Sequence, residues 1–219
     1  MQTDDVGEAG GLIARHRLTG WWLASFTPEE RERMAARYQP PRPGGATDSA
    51  VERPLTEGRV TWRAGSATRF LAGLATWFVG RTDRPLARRI VAQAERLPGQ
   101  TVLDRFWLYQ AEVRVYYPDR NADPVAFASA IAACERQIEL APRAAAAFHS
   151  IDPSAPLPDH VGYRQLAIIR EKQGRYPDAM RLAQAAQRQG WAGDWPARVT
   201  RIERRRERRA GRTRTARPT

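Results

Sequence analysis

Residues Tyr163 to Ala186 read YRQLAIIREKQGRYPDAMRLAQAA, and this stretch decides the fold. Gly174-Arg175-Tyr176 is a turn signal between two helical segments, Asp159 to Gln173 and Pro177 to Gln189. Ala167 in the first segment and Ala179 in the second are small enough for two antiparallel helices to approach closely. The segment predicts a helical hairpin.

Working outward, the same periodicity recurs. Asp194 is placed to cap a last helix that runs into an arginine-rich end. Upstream, Ile151 to Pro158 holds three prolines and predicts a loop. Pro124 to Ala141 predicts one helix ended by Pro142, with a further Ala-rich helix reaching Phe148. Val102 to Tyr117 predicts a helix with apolar residues on two faces: Leu103, Phe106, Trp107 and Val113 on one, Leu108, Ala111 and Val115 on the other. A helix apolar on both sides expects neighbours on both sides, as in a stacked array. Ser66 can cap a helix whose Phe70, Leu71, Leu74, Trp77 and Phe78 share a face, and Asp83 can cap the next, with Leu86, Ile90, Val91, Ala94 and Leu97 inward. Near the start, Leu12 to Phe26 predicts a short helix. Thr27-Pro28-Glu29-Glu30 opens another, with Thr27 as cap, Pro28 at the first helical position and Glu30 closing a capping box. No strand-like alternation is present. The expectation is an all-α fold with a small helical N-terminal region (1–39), a Pro/Gly-rich linker (40–60), a helical domain (61–199) and a basic helical or disordered tail (200–219).

With helix pairs in series, Tyr163 to Ala186 resembles a tetratricopeptide repeat. Tyr163, Leu166 and Ala167 match its first helix, Gly174 and Tyr176 the turn, and Ala179 and Ala186 the second helix. Two positions depart: Arg170 stands at the usual inner aromatic position and Trp191 where a proline would close the repeat. Ala130 to Pro142 resembles a second such helix with its closing proline, and a third frame places Leu71, Leu74, Ala75 and Phe78 before Ala87, Val91 and Ala94. The spacing exceeds the family's 34 residues, so the resemblance is to a divergent member, and alternating alanines and bulky residues also suit a plain helical bundle.

The resemblance implies antiparallel helical hairpins stacked as a short array that binds peptides or protein surfaces on a face lined by first-helix residues. Carried onto this chain, the family's groove positions fall on Arg164, Ile168, Glu171 and Lys172 in the strongest repeat, and on Arg69, Arg105 and Glu112 in the others. Arg69, Arg105 and Arg164 would then form a basic stripe for an acidic partner, or would simply solvate the surface. The asparagine pair with which some members clamp a peptide carboxylate is absent.

Composition narrows the classes further. The 219 residues are 42% hydrophobic and 27% charged, with seven Trp, six Tyr and six Phe, which excludes wholesale disorder. No apolar run approaches the ~20 residues of a membrane span. The N-terminus MQTDDVGEAGG lacks the basic start of a secretory signal, so a cytoplasmic protein is the expectation. Of the net charge of +12, the stretch Arg201 to Thr219, with nine arginines against Glu203 and Glu207, carries +7. Arg204, Arg205, Arg206, Arg208 and Arg209 could hold nucleic-acid phosphates, or form a solvated end-cap helix supported by i, i+4 pairs with those glutamates. Lys172 is the one lysine among 36 basic residues, a bias that also fits a GC-rich genome. Trp21, Trp22 and Phe26 make an aromatic cluster that reads as a cap on one end of the stack or as an anchor for a partner.

For chemistry the chain offers little. One cysteine, Cys134, excludes an internal disulfide and a Cys-based zinc site, and it lies on an apolar stripe with Ile131 and Ile138, as a core thiol would. His16, His149 and His160 lack metal-ligand spacing. Asp159–His160 and His149 near Asp152 are the only His–carboxylate neighbours, and adjacent helical residues point apart. The expectation is therefore a non-catalytic adaptor or scaffold with no cofactor, a protein or peptide partner of acidic character, and no membrane association. The alternative is a nucleic-acid-associated protein that uses the tail.

Overall fold

The computed structural model describes residues 10–40, 53–58 and 65–215. Among these the fold is all-α apart from one short strand pair. Chain contacts divide it into two compact units, Met1–Leu97 and Pro98–Thr219.

The first unit holds α1 (Gly11–Arg15), α2 (Thr19–Ser25), α3 (Pro28–Arg37), α4 (Ala67–Ala75) with a 3-10 turn over Thr76–Phe78, and α5 (Arg84–Arg96). The single helix expected over Leu12 to Phe26 is two, because Arg17 takes a left-handed conformation (φ 57°) and turns the chain between them. The short α1 is held from outside: the backbone N–H groups of Gly11, Leu12 and Ile13 donate to the carbonyls of Gly58, Pro54 and Leu55 at 3.0, 3.0 and 3.1 Å. These donors have no partner inside a helix of five residues, so segment 53–58 completes it. Gly11 is required there, since its φ is +62° and a Cβ would sit 2.6 Å from the Pro54 carbonyl oxygen. The predicted capping box on α3 is present, with Thr27 N donating to Glu30 Oε2 (3.0 Å) and Glu30 N to Thr27 Oγ1 (3.3 Å). Ser66 caps α4 by accepting from Arg69 N at 3.1 Å. Asp83 precedes α5 without capping it through its side chain. Its buried carboxylate turns instead to Arg37 (2.6 Å) and Arg33 (3.5 Å). Trp22 and Phe26 are buried and Trp21 meets Phe26 edge-on at 5.3 Å, so the aromatic cluster belongs to this unit's own core. Arg89 closes over it, with its guanidinium 4.7 Å from the Phe26 ring centre and paired with Glu30.

The second unit holds α6 (Val102–Tyr116), α7 (Pro124–Ile151), β1 (Leu157–Asp159), α8 (Val161–Lys172), α9 (Tyr176–Arg188), β2 (Trp191–Ala192) and α10 (Trp195–Thr215). Helix α6 packs on α7, α8 on both α7 and α9, and α10 on α9. Phe106 and Val113 from one face of α6 and Leu108, Ala111 and Val115 from the other are all buried, as the two-faced pattern anticipates. Thr101 and Asp104 add a capping box before α6. The break expected at Pro142 is absent, and α7 continues through it for 28 residues. A proline inside a helix costs about 3 kcal/mol, and the burial of Leu140, Ala141 and Ala144 around it supplies the compensation.

The loop after α7 also holds one element that the periodicity did not anticipate. Leu157 pairs in parallel with Trp191, so β1 and β2 join the proline-rich loop to the segment after α9. This places Trp191 where it stacks on Phe106 at 5.3 Å, and Phe148 meets both rings edge-on. Gln137 ties three helices together: its Nε2 donates to the Phe106 carbonyl (3.0 Å) and its Oε1 accepts from Gly162 N (2.7 Å). Gly162 makes that approach possible, because a Cβ there would lie 2.9 Å from the Cys134 carbonyl oxygen.

Candidate functional site

The hairpin turn after α8 depends on Gly174, whose φ of +75° favours glycine, and it brings α9 back across α8. A cleft of about 440 Å³ opens on the surface of α7, α8 and α9. Its floor is apolar: Ile138 of α7, Leu166 of α8, and Leu182 and Ala185 of α9. Tyr163 also lines it, its hydroxyl accepting from Gln189 Nε2 at 3.0 Å, and burial raises the pKa of that phenol. Four arginines rim the floor: Arg170, Arg175, Arg181 and Arg188.

The rim charges are unevenly balanced. Arg170 reaches Glu135 (3.0 Å) and Gln173 (3.1 Å). Arg175 and Arg181 share a single carboxylate, Asp178. Among the described residues no carboxylate pairs with Arg188. Four guanidinium groups thus face Glu135 and Asp178, which leaves two positive charges over an apolar floor. Arg170 is the residue that stood at the inner aromatic position of the repeat pattern. A long, charged side chain there leans to Glu135 rather than filling the space between α7 and α9 with a ring, and the cleft lies beside it.

The sequence-derived groove residues are distributed otherwise. Arg69 is exposed on α4 in the first unit, whereas Arg105 is exposed on α6 in the second. Glu112, 1% exposed, forms an ion pair with Arg136 of α7, whose guanidinium lies 4.7 Å from the Tyr109 ring centre. Arg164 pairs with Asp159 at 3.0 Å. Ile168 is half-buried and Lys172 is exposed. Glu171 is buried and meets Arg205 (2.7 Å) and Arg201 (3.9 Å) of α10. Glu112, Arg164 and Glu171 are thus already engaged by side chains of their own unit.

Those contacts also divide the arginine-rich end. Arg205, itself exposed, pairs with Glu171, and the Arg209 guanidinium lies beside Gly174. Ile202, about one turn before Arg205 on the same helix, is fully buried, so α10 docks one face on the hairpin. Arg204, Arg206 and Arg208 are exposed on the same helix as the exposed Glu203 and Glu207.

The remaining polar candidates do not converge. Asp159 goes to Arg164, while the neighbouring His160 is buried and its Nδ1 accepts from Tyr163 N at 3.2 Å. Burial pushes the His160 imidazole down to about 4. Asp152 accepts from Ser154 N and Oγ at 2.9 and 2.7 Å, and these bonds lower its pKa. Cys134 is buried, and burial pushes its thiol up to about 12, so it stays protonated. Among the described residues no three His, Cys, Asp or Glu side chains group as metal ligands would, and no helix is long and apolar enough to cross a membrane.

Arg175, Arg181 and Arg188 were missed in the sequence. A signal for two of them exists: Arg181 and Arg188 stand seven residues apart with Leu182 and Ala185 between them on one helix face. No protein-family model, curated protein or solved structure matches the chain.

Proposed function

We propose that this chain is a non-catalytic adaptor whose second unit binds another protein. The observation that carries the reading is the arginine-rimmed cleft with its apolar floor on α7, α8 and α9. An open cleft of this kind does not enclose a small molecule, which buries most of its own surface when bound. It suits one side of a protein segment that brings apolar side chains and negative charge together. The divergent tetratricopeptide-like reading supports the same class of function. On it, α6–α7 and α8–α9 are successive antiparallel hairpins and α10 closes the array. The buried Ala167, Ala179 and Ala183 and the Gly174 turn agree with close hairpin packing. On this reading the protein works inside the cell without inserting into a membrane.

The nucleic-acid alternative draws less support. Arg205 is committed to Glu171, and the outward arginines alternate with Glu203 and Glu207. The adaptor reading is tested by placing a photo-crosslinking residue at Ala185 in the cleft, and in parallel at Glu203 on the outer face of α10. A discrete protein adduct from position 185, lost when Arg181 and Arg188 are both changed to Glu, is the expected result. An adduct at neither position, or one indifferent to those charges, refutes the reading.

A further inference from the structure

Building on the adaptor reading, we propose that the cleft receives an acidic amphipathic helix carrying two carboxylates seven residues apart on either side of an adjacent apolar pair. The spacing comes from α9. Arg181 and Arg188 are separated by seven residues, hence by ~10 Å along the helix at 1.5 Å per residue, and Leu182 and Ala185 lie on the face between them. A partner helix with Glu at positions i and i+7 and leucine at i+3 and i+4 puts all four side chains on one face. Its carboxylates meet Arg181 and Arg188, and its leucines meet Leu182, Ala185 and Ile138. The pattern reads the same in both chain directions, so the charge match holds for either orientation of the partner.

Charge complementarity selects this occupant over an apolar one. The two uncompensated positive charges on the rim match the two carboxylates. Arg181 shares Asp178 with Arg175 and is 72% exposed, so it can turn to a second carboxylate without uncovering buried charge. Arg188 has no described carboxylate to give up. Bidentate guanidinium–carboxylate bonds at the two ends would fix the register, and the apolar contact between them would supply most of the binding energy.

The test uses the full chain and a fluorescent synthetic helix of about 20 residues, long enough to hold helical structure in water, built on Glu-x-x-Leu-Leu-x-x-Glu. Titration by anisotropy should give saturable binding that weakens about tenfold when Arg181 and Arg188 both become Glu. A second peptide with lysines in place of the two glutamates should prefer that double variant, which restores the match with signs reversed. A control variant, Arg105→Glu with Arg204→Glu, changes the net charge equally outside the cleft and should bind as the unaltered chain does. Equal loss in the control would show nonspecific attraction to a basic protein and overturn the proposal. So would a peptide affinity indifferent to the Arg181 and Arg188 reversals. If the peptide fails to bind while the Ala185 adduct forms and depends on those arginines, the helical pattern is wrong and the adaptor reading stands. If the peptide binds as expected but no adduct forms, the adaptor reading falls by itself.

Discussion

His160 makes the stability of the second unit depend on pH in a direction that its surroundings dictate. The imidazole is fully buried, 4.7 Å from the Trp191 ring centre and 5.4 Å from that of Phe106. Its Nδ1 accepts from Tyr163 N at the start of α8. Protonation would put a charge in an aromatic cage and turn that acceptor into a donor facing a donor. The folded pKa is therefore depressed, from 6.5 to about 4. A depressed value means that the unfolded chain binds more protons between these limits, so stability is full above pH 6.5 and is lost as the pH falls toward 4. At 1.36 kcal/mol per unit, the loss approaches ~3 kcal/mol at the acid limit and amounts to about 2 kcal/mol between pH 8 and pH 5. The assay is urea unfolding followed by tryptophan fluorescence at several pH values, comparing the unaltered chain with His160→Asn. Asparagine can still cap α8 but does not titrate. The variant should be less stable at pH 8 through lost ring contacts, yet its further decline by pH 5 should be about 2 kcal/mol smaller. His16, half-buried and stacked on Phe70, also has a depressed pKa, from burial first and Arg15 second, and it remains in both chains. An equal decline in both chains, or a His160 ring proton titrating near 6.5 by NMR, would refute the reasoning.

Four further outcomes are expected. Gly162→Ala should destabilise the second unit by about 1–3 kcal/mol in urea melts, because the added methyl meets the Cys134 carbonyl oxygen at 2.9 Å and backbone cannot yield cheaply. Gln137→Ala, which leaves the Phe106 carbonyl and the Gly162 amide without their bridge, should lower the same unit's stability by ~2–4 kcal/mol. Cys134 should resist a thiol-specific reagent in the native state and react at the rate of unfolding, since the thiol is buried with its pKa pushed up to about 12. Asp83→Asn should cost about 1–2 kcal/mol in the first unit and be felt less at high salt, because it removes the common partner of Arg33 and Arg37.

What was legible in the sequence is what local physics controls. Helix periodicity, the Thr27–Glu30 capping box, the Ser66 cap and the Gly174 turn depend on residues within about one helical turn of each other, and each stands where the sequence places it. The burial of Cys134 was likewise readable from its stripe. Other features depend on which segments meet across long stretches of chain. Pro142 stays helical because packing around it outweighs its local preference, and Asp83 spends its carboxylate on α3 rather than on the helix it precedes. Arg170 departs from the repeat pattern and borders the cleft, and the carboxylate it pairs with, Glu135, is 35 residues away in sequence. Glu171 looked like a groove residue and is covered by Arg205 of α10. Sequence alone determined the helical character of the chain and those helix starts and turns that rest on local caps and glycines, such as the Thr27 box, the Ser66 cap and the Gly174 turn. Tertiary structure decided which charges are matched and which are left over the cleft, because a charge's environment is made by neighbours that only folding brings near.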